Sequence, residues 1–221
     1  MLKDIAIYGV GGFGREVLTL VQDINSNNIT YNIVGFFDDG HTKGEIINGY
    51  PVLGGIEELN KWLTPLSVVV SIGTPNIKKS VINKINNPLI DYPTLIHPSV
   101  IIADSNYVKI GLGCIICAGT IMTTNIVIGD YVVLNLLCTV GHDVVINNYC
   151  AFMPSCNISG EVTIGECVYC GTGVKIINQI SIESHTIIGA GAVVAHSLPS
   201  FCTAVGVPAK VIKKIASSFS K

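Results

Sequence analysis

The feature that most constrains this 221-residue chain is a six-residue period in its second half. From Ile110, steps of six land on Ile116, Met122, Ile128, Leu134, Val140, Ile146, Phe152, Ile158, Ile164, Cys170, Ile176, Ile182, Ile188 and Val194, and none is charged or strongly polar. Four residues behind runs a second ladder of small or β-branched side chains: Cys114, Thr120, Ile126, Val132, Cys138, Val144, Cys150, Cys156, Val162, Val168 and Val174. Glycine often follows the first ladder directly, as at Gly111, Gly129, Gly141, Gly165, Gly171 and Gly189. A period of six suits neither a helix nor a hairpin sheet. It suits short strands joined by tight turns, three hexads closing one coil, so that Ile110, Ile128, Ile146, Ile164 and Ile182 stack about 4.8 Å apart. Each coil buries its apolar ladder only against its neighbours, which predicts a parallel β-helix of triangular section.

Composition raises the question of a membrane, since 49% of residues are hydrophobic and only 13% charged. The long uncharged run from Ile110 to Gly129 nevertheless carries glycines, threonines and an asparagine, and lipid requires a continuous apolar surface. The opening MLKDIAIYGVGGFG has a glycine cluster where a signal peptide needs its apolar core. The expectation is a cytoplasmic protein with no membrane insertion. A net charge of −2 without a basic face argues against nucleic acid as a partner. Eight cysteines lack zinc-site spacing, so no metal is expected, and five of them fall on the two ladders as compact apolar fillers. Cys138 and Cys156 would stack within possible disulfide reach, but the absence of a secretory signal favours free thiols.

The first ninety residues follow another rule. DIAIYGVGGFGREVLTLVQDI reads as a buried strand, a glycine turn and an amphipathic helix whose apolar face is Val17, Leu18, Leu20, Val21 and Ile24. Gly9, Gly11 and Gly12 would let the backbone approach a phosphate at the helix N-terminus. A second strand, NIVGFFDDG, ends at Asp38 and Asp39, near the usual distance for carboxylates that bond a ribose hydroxyl. A third, SVVVSIGTP, closes with a turn through Gly73. Three βα units make half of a dinucleotide fold and predict a small Rossmann-like α/β domain over residues 1–93 with a mononucleotide or nucleotide-sugar site. The alternative is that these glycines only pack helix against strand. Pro88, Pro93 and Pro98 then mark a change of architecture.

The hexad rows, the segment GTGVKIINQISIESHTIIGAGAVV (171–194) and the ending VGVPAKVIKK (205–214) resemble the hexapeptide-repeat acyltransferases. LIHPSVII (95–102) resembles the entry to their β-helix, with His97 structural at the junction. Both halves together resemble a narrower group, the bacterial sugar O- and N-acetyltransferases that include sialic acid O-acetyltransferases and enzymes acetylating UDP- or dTDP-linked 4-amino-6-deoxy sugars. The group's pattern stands here as Asn135, then His142 with acidic Asp143, then Ile146. Asn147 replaces the glycine that follows in the group, a change that a left-handed turn tolerates. Ala151 replaces a further histidine of some members, so that contact is not assumed.

The resemblance implies an α/β domain followed by a left-handed β-helix over 94–205, a hand opposite to the general rule for parallel crossovers. It implies a tail over 206–221 that contacts CoA. The cofactor would meet Gly171, Gly173, Gly189, Gly191, Pro208 and Lys210, with Lys213 and Lys214 near its phosphates, and the assembly would be a homotrimer with sites between prisms. The function implied is acetyl-CoA-dependent N-acetylation of a nucleotide-linked amino sugar, of 4-amino-4,6-dideoxy type, for surface glycan synthesis. His142 would be the general base, Asp143 its carboxylate partner and Asn135 a substrate contact. O-acetylation of sialic acid or another glycan sugar is the nearest alternative. An NAD-binding sensor module and a non-catalytic β-helix scaffold are alternatives of other classes. A cysteine acyl-enzyme through Cys138, Cys150 or Cys156 is disfavoured, because ladder register points those thiols inward.

Overall fold

The structure is a computed structural model that describes residues 2–214. It divides into two compact units, one ending at Pro98 and the other beginning at Ser99. The first is built from β1 (Lys3–Tyr8), α1 (Gly12–Asn27), β2 (Tyr31–Phe37), β3 (Ile46–Ile47), β4 (Tyr50–Gly54), α2 (Ile56–Asn60), β5 (Leu66–Val70), α3 (Pro75–Lys84) and β6 (Ile90–Asp91). Its sheet runs β3-β4-β2-β1-β5-β6, parallel throughout except for the β3–β4 pair. Every residue of β5 is buried, because helices cover both faces of a parallel sheet. Val17, Leu18, Leu20 and Val21 of α1 are buried as the periodicity predicts. The sequence shows three of these strands; β4 escapes because Pro51 and two glycine neighbours disguise a strand of mixed composition.

The second unit is a left-handed parallel β-helix of three sheets. Its register advances eighteen residues per coil, as in Ile115↔Val133↔Ala151↔Tyr169↔Ile187 and Thr139↔Asn157↔Lys175↔Val193. Every first-ladder residue from Ile116 to Val194 is 3% exposed or less, and every residue of the second ladder 1% or less. Full burial of one such aliphatic side chain stabilises by roughly 1.5–3 kcal/mol, and this is what holds strands only two or three residues long.

The corners carry a regularity of their own. Gly113, Gly119, Asn125, Tyr131, Leu137, Asp143, Tyr149, Ser155, Glu161, Cys167, Gly173, Gln179, His185 and Gly191 all have left-handed φ, one every sixth residue. Ten of these are not glycine, at about 1–2 kcal/mol each, a cost that ladder burial and coil-to-coil hydrogen bonds offset. The glycines that directly follow the ladder serve a different purpose. A Cβ on Gly141 would stand 2.7 Å from the Gly160 nitrogen, so glycine there permits contact between coils. Asn147 therefore does not adopt the left-handed conformation expected of it; Tyr149 does, and Asn147 Nδ2 donates to the Ile164 carbonyl at 3.0 Å.

All eight cysteines are buried thiols outside any disulfide. The last coil ends in Cys202–Val205, which pairs in parallel with Ile187–Ile188 and antiparallel with Lys210–Lys214. Residues 215–221 of the tail expected to contact CoA lie outside the described residues. Among the described residues, no helix is long and apolar enough to cross a membrane.

Candidate active site

The prism has three edges, each a stack of turns. One carries 111–113, 129–131, 147–149, 165–167 and 183–185; the second 117–119, 135–137, 153–155, 171–173 and 189–191; the third 123–125, 141–143, 159–161 and 177–179. His142 stands on the third edge, two residues past Val140, and its side chain is 57% exposed. Nδ1 lies 2.8 Å from Asp143 Oδ2. With the proton on Nδ1 and directed at this carboxylate, Nε2 is left as an acceptor. Asp143 is set by its left-handed φ of 58° and by a second bond, from Asn125 Nδ2 to Oδ1 at 3.1 Å. The imidazole and Asn125 hydrogen bonds hold the Asp143 carboxyl below the usual carboxylate range.

Glycine at 160, one coil above His142, makes room for the ring. A Cβ there would stand 2.5 Å from both Cε1 and Nε2 of His142, so the imidazole, rather than substrate, occupies the room beside it. The backbone amides of His142 and Gly160 make no hydrogen bond within the chain among the described residues. The edge that carries the imidazole thus keeps donor capacity in two backbone amides, and the imidazole itself is suited to taking a proton. Neither Asn125 nor the Gly160 amide emerges from the sequence motif; the eighteen-residue coil spacing could have pointed to both.

Asn135 sits on the second edge, 4% exposed, with Oδ1 accepting from the Leu136 amide at 2.7 Å. It is one prism face away from His142 in the same chain, so the two are not brought together within one prism. Gly171, Gly173, Gly189 and Gly191 lie on this same second edge, above Asn135. Space at Gly171 is taken by the Ala190 nitrogen and at Gly189 by Val205, whereas Gly173 and Gly191 open onto free space with φ of +76° and +70°. All four amides are spent on neighbouring coils, so any cofactor contact here uses carbonyls or close approach. Pro208 is exposed beyond the last coil, in a loop pinned by the Ala209 amide to the Val193 carbonyl at 2.7 Å. Lys210, Lys213 and Lys214 are exposed on the closing hairpin. Cys138, Cys150 and Cys156 are 1% exposed or less, beyond the reach of a thioester.

In the first unit the turn after β1 and the turn through Gly73 after β5 flank the point where strand order reverses, the usual place for a ligand in such a sheet. Gly11 and Gly12 face open space, while Gly9, with φ +108°, lies against Ser71 and is pressed by Gly14. The carboxylates expected to meet a ribose already hold the chain: Asp38 Oδ2 accepts from the Val10 amide at 3.0 Å and Oδ1 from Gly40 at 2.8 Å. Asp39 accepts from the Tyr8 hydroxyl at 2.6 Å and from the Ile56 amide at 2.8 Å. Burial and Asp39 together push the Tyr8 hydroxyl well above the usual phenol range, which keeps it a donor. A carboxylate has about four lone-pair sites, so each retains acceptor capacity. Both line a cleft of about 370 Å³ with His41, Lys43, Gly54 and Gly55.

Comparison with known proteins agrees with both halves. Residues 4–85 match the PglD N-terminal domain family. The chain is 29% identical over 218 residues to the GDP-perosamine N-acetyltransferase of Escherichia coli O157:H7, covering 96% of this chain and 97% of that one. Among solved structures, PerB from Caulobacter crescentus in complex with CoA and GDP-perosamine is similar with a TM-score of 0.85 and 27% identity, over 96% of this chain and 99% of that one. The acetyltransferase domain of PglB from Neisseria gonorrhoeae, in complex with acetyl coenzyme A, is similar with a TM-score of 0.85 and 32% identity, over 96% of this chain and 100% of that one. The β-helix, its closing hairpin, the Rossmann-like unit and this full-length likeness lead to one conclusion: the chain belongs to the hexapeptide-repeat sugar acetyltransferases.

Proposed function

We propose that this protein transfers the acetyl group of acetyl-CoA to the amino group of a nucleotide-linked amino sugar of 4-amino-4,6-dideoxy type, with His142 as general base. The observation that carries this reading is the His142–Asp143 pair at 2.8 Å on an imidazole whose side chain is 57% exposed. The amine nitrogen attacks the thioester carbonyl, forming the C–N bond while its proton passes to Nε2. The tetrahedral oxyanion takes a hydrogen bond from a corner amide of this edge, for which the His142 and Gly160 amides are candidates. Collapse breaks the C–S bond, and the CoA thiolate leaves and recovers a proton from the imidazolium. Asp143, ionised, stabilises that imidazolium between the two events. A base of this kind contributes about 10²–10⁴-fold.

The nucleotide is assigned to the first unit, whose Gly11 and Gly12 are open to a phosphate and whose Asp38 and Asp39 line an adjoining cleft. Pantetheine is assigned to the edge at Gly173 and Gly191, and the CoA phosphates to Lys210, Lys213 and Lys214. Because His142 and that edge are a prism face apart, a homotrimer would let the base of one prism serve the cofactor on the next. The test is release of CoA thiol from acetyl-CoA across UDP-, dTDP- and GDP-linked amino sugars, with free sialic acid alongside. Turnover is expected with one of the nucleotide sugars. Release with sialic acid alone would replace the acceptor, and release with none would overturn the transfer.

A further inference from the structure

We infer that Asn125 is a positioning residue for the reaction, fixing the Asp143 carboxylate from the coil below so that its other oxygen faces His142. The inference rests on the reading of His142 as base and extends it by one residue. Asn125 and Asp143 occupy equivalent corners of successive coils, both with left-handed φ, 54° and 58°. Their side chains therefore leave the prism at the same edge in the same direction. Asn125 Nδ2 reaches Asp143 Oδ1 at 3.1 Å, while Oδ2 of the same carboxylate lies 2.8 Å from His142 Nδ1.

The next two corners repeat the pairing in reverse. Glu161 and Gln179 share the left-handed conformation, and Gln179 Nε2 donates to Glu161 Oε2 at 3.1 Å. The column reads amide, acid, acid, amide. Two carboxylates one coil apart repel, and each is drawn to the amide on its outer side, so Asp143 leans away from Glu161 and toward Asn125. The remaining acid at this edge, Asp104, is engaged by the Thr124 hydroxyl at 3.3 Å. Asp143 is half exposed, and without Asn125 its carboxylate has only the imidazole to orient it.

Two substitutions test this without straining the corner. Asn125→Gly keeps a residue suited to positive φ and removes the donor; Asn125→Asp keeps the shape and adds a charge. Asn125→Gly is expected to lower kcat about tenfold, the scale of one hydrogen bond to a charged group, with KM for acetyl-CoA unchanged. In Asn125→Asp a further anion favours the imidazolium, and the acid limb of kcat/KM moves to higher pH. In an Asp143→Ala background the Asn125→Gly change is expected to have no further effect on kcat. An equal loss in both backgrounds, or no shift of the acid limb in Asn125→Asp, overturns the positioning role. If His142→Ala and Asp143→Ala both keep full turnover, the base assignment itself fails; if they are crippled and Asn125→Gly is unaffected, only this inference does.

Discussion

Two edges of the same prism, built on the same corner backbone, have opposite chemistry. On the edge that carries Tyr131 and Tyr149, three corner amides find partners in the next coil: Leu112 donates to Asp130 Oδ1 at 2.9 Å, Asp130 to Asn148 Oδ1 at 2.8 Å, and Glu166 to Ser184 Oγ at 2.9 Å. The left-handed side chains there stack on each other, Tyr131 on Tyr149 with centroids 5.2 Å apart and His185 on Phe201 at 4.7 Å. On the His142 edge the corresponding slot holds His142 and then Gly160, which has no side chain to offer the His142 amide. The imidazole turns into the room that glycine leaves and spends one nitrogen on Asp143. The difference teaches that the residue eighteen positions on decides what a corner does: a polar side chain there can take up the amide below, whereas glycine leaves room for an imidazole.

The comparison is broken most severely by removing the acceptor. His142→Ala is expected to lower kcat by about 10²–10⁴-fold, the usual worth of a general base, while the thermal midpoint stays within the range of an exposed surface change. CoA release and a thermal melt on the same preparation measure both. Retained turnover would mean that the free nitrogen is not the proton acceptor.

A smaller effect follows from refilling the room. Gly160→Ala places a methyl where the ring now lies, 2.5 Å from Nε2 in the present geometry, and the ring must swing from its bond to Asp143. About a tenfold fall in kcat is expected, the scale set by loss of a single oriented hydrogen bond, with the trimer or monomer population unchanged. Gly160 is not left-handed, so the alanine introduces no backbone strain, and an unaltered kcat would show that the ring's place over Gly160 is dispensable.

The smallest effect belongs to the other edge. Asp130→Ala leaves the Leu112 amide without its side-chain acceptor and should destabilise by about 1 kcal/mol, read as a lowered unfolding midpoint, with kcat unchanged. A loss of activity in that variant would erase the functional contrast between the edges. The pH dependence has a fixed sign at Asp143. Its folded pKa is depressed by His142 and Asn125, so whatever stability the pair gives is present above the unfolded carboxylate value and is lost only as pH falls through the lower folded value.

Much of this could be read from spacing, and some of it could not. The coil was legible because its core is one-dimensional: a side chain every sixth residue must point inward, whatever lies elsewhere, and Ile116 through Val194 do so. The motif around His142 likewise pointed to an exposed imidazole with an acidic neighbour. Strand β4 was hidden because its burial depends on β2 beside it rather than on its own residues. That Asp38 and Asp39 also hold the chain, through Val10, Gly40, Tyr8 and Ile56, was not legible, because only folding brings those groups near.

The sequence by itself determined the period, and with it which residues are core, which are corners and how many separate one coil from the next. Tertiary structure alone decided which corner groups remain unspent, because that depends on what stands eighteen residues away in the next coil: an asparagine beneath Asp143, and nothing but a hydrogen on Gly160 above His142. Hydrophobic burial is additive along a repeat and so is written locally. Hydrogen-bond satisfaction is a property of pairs, and the pairs exist only once the coils are stacked.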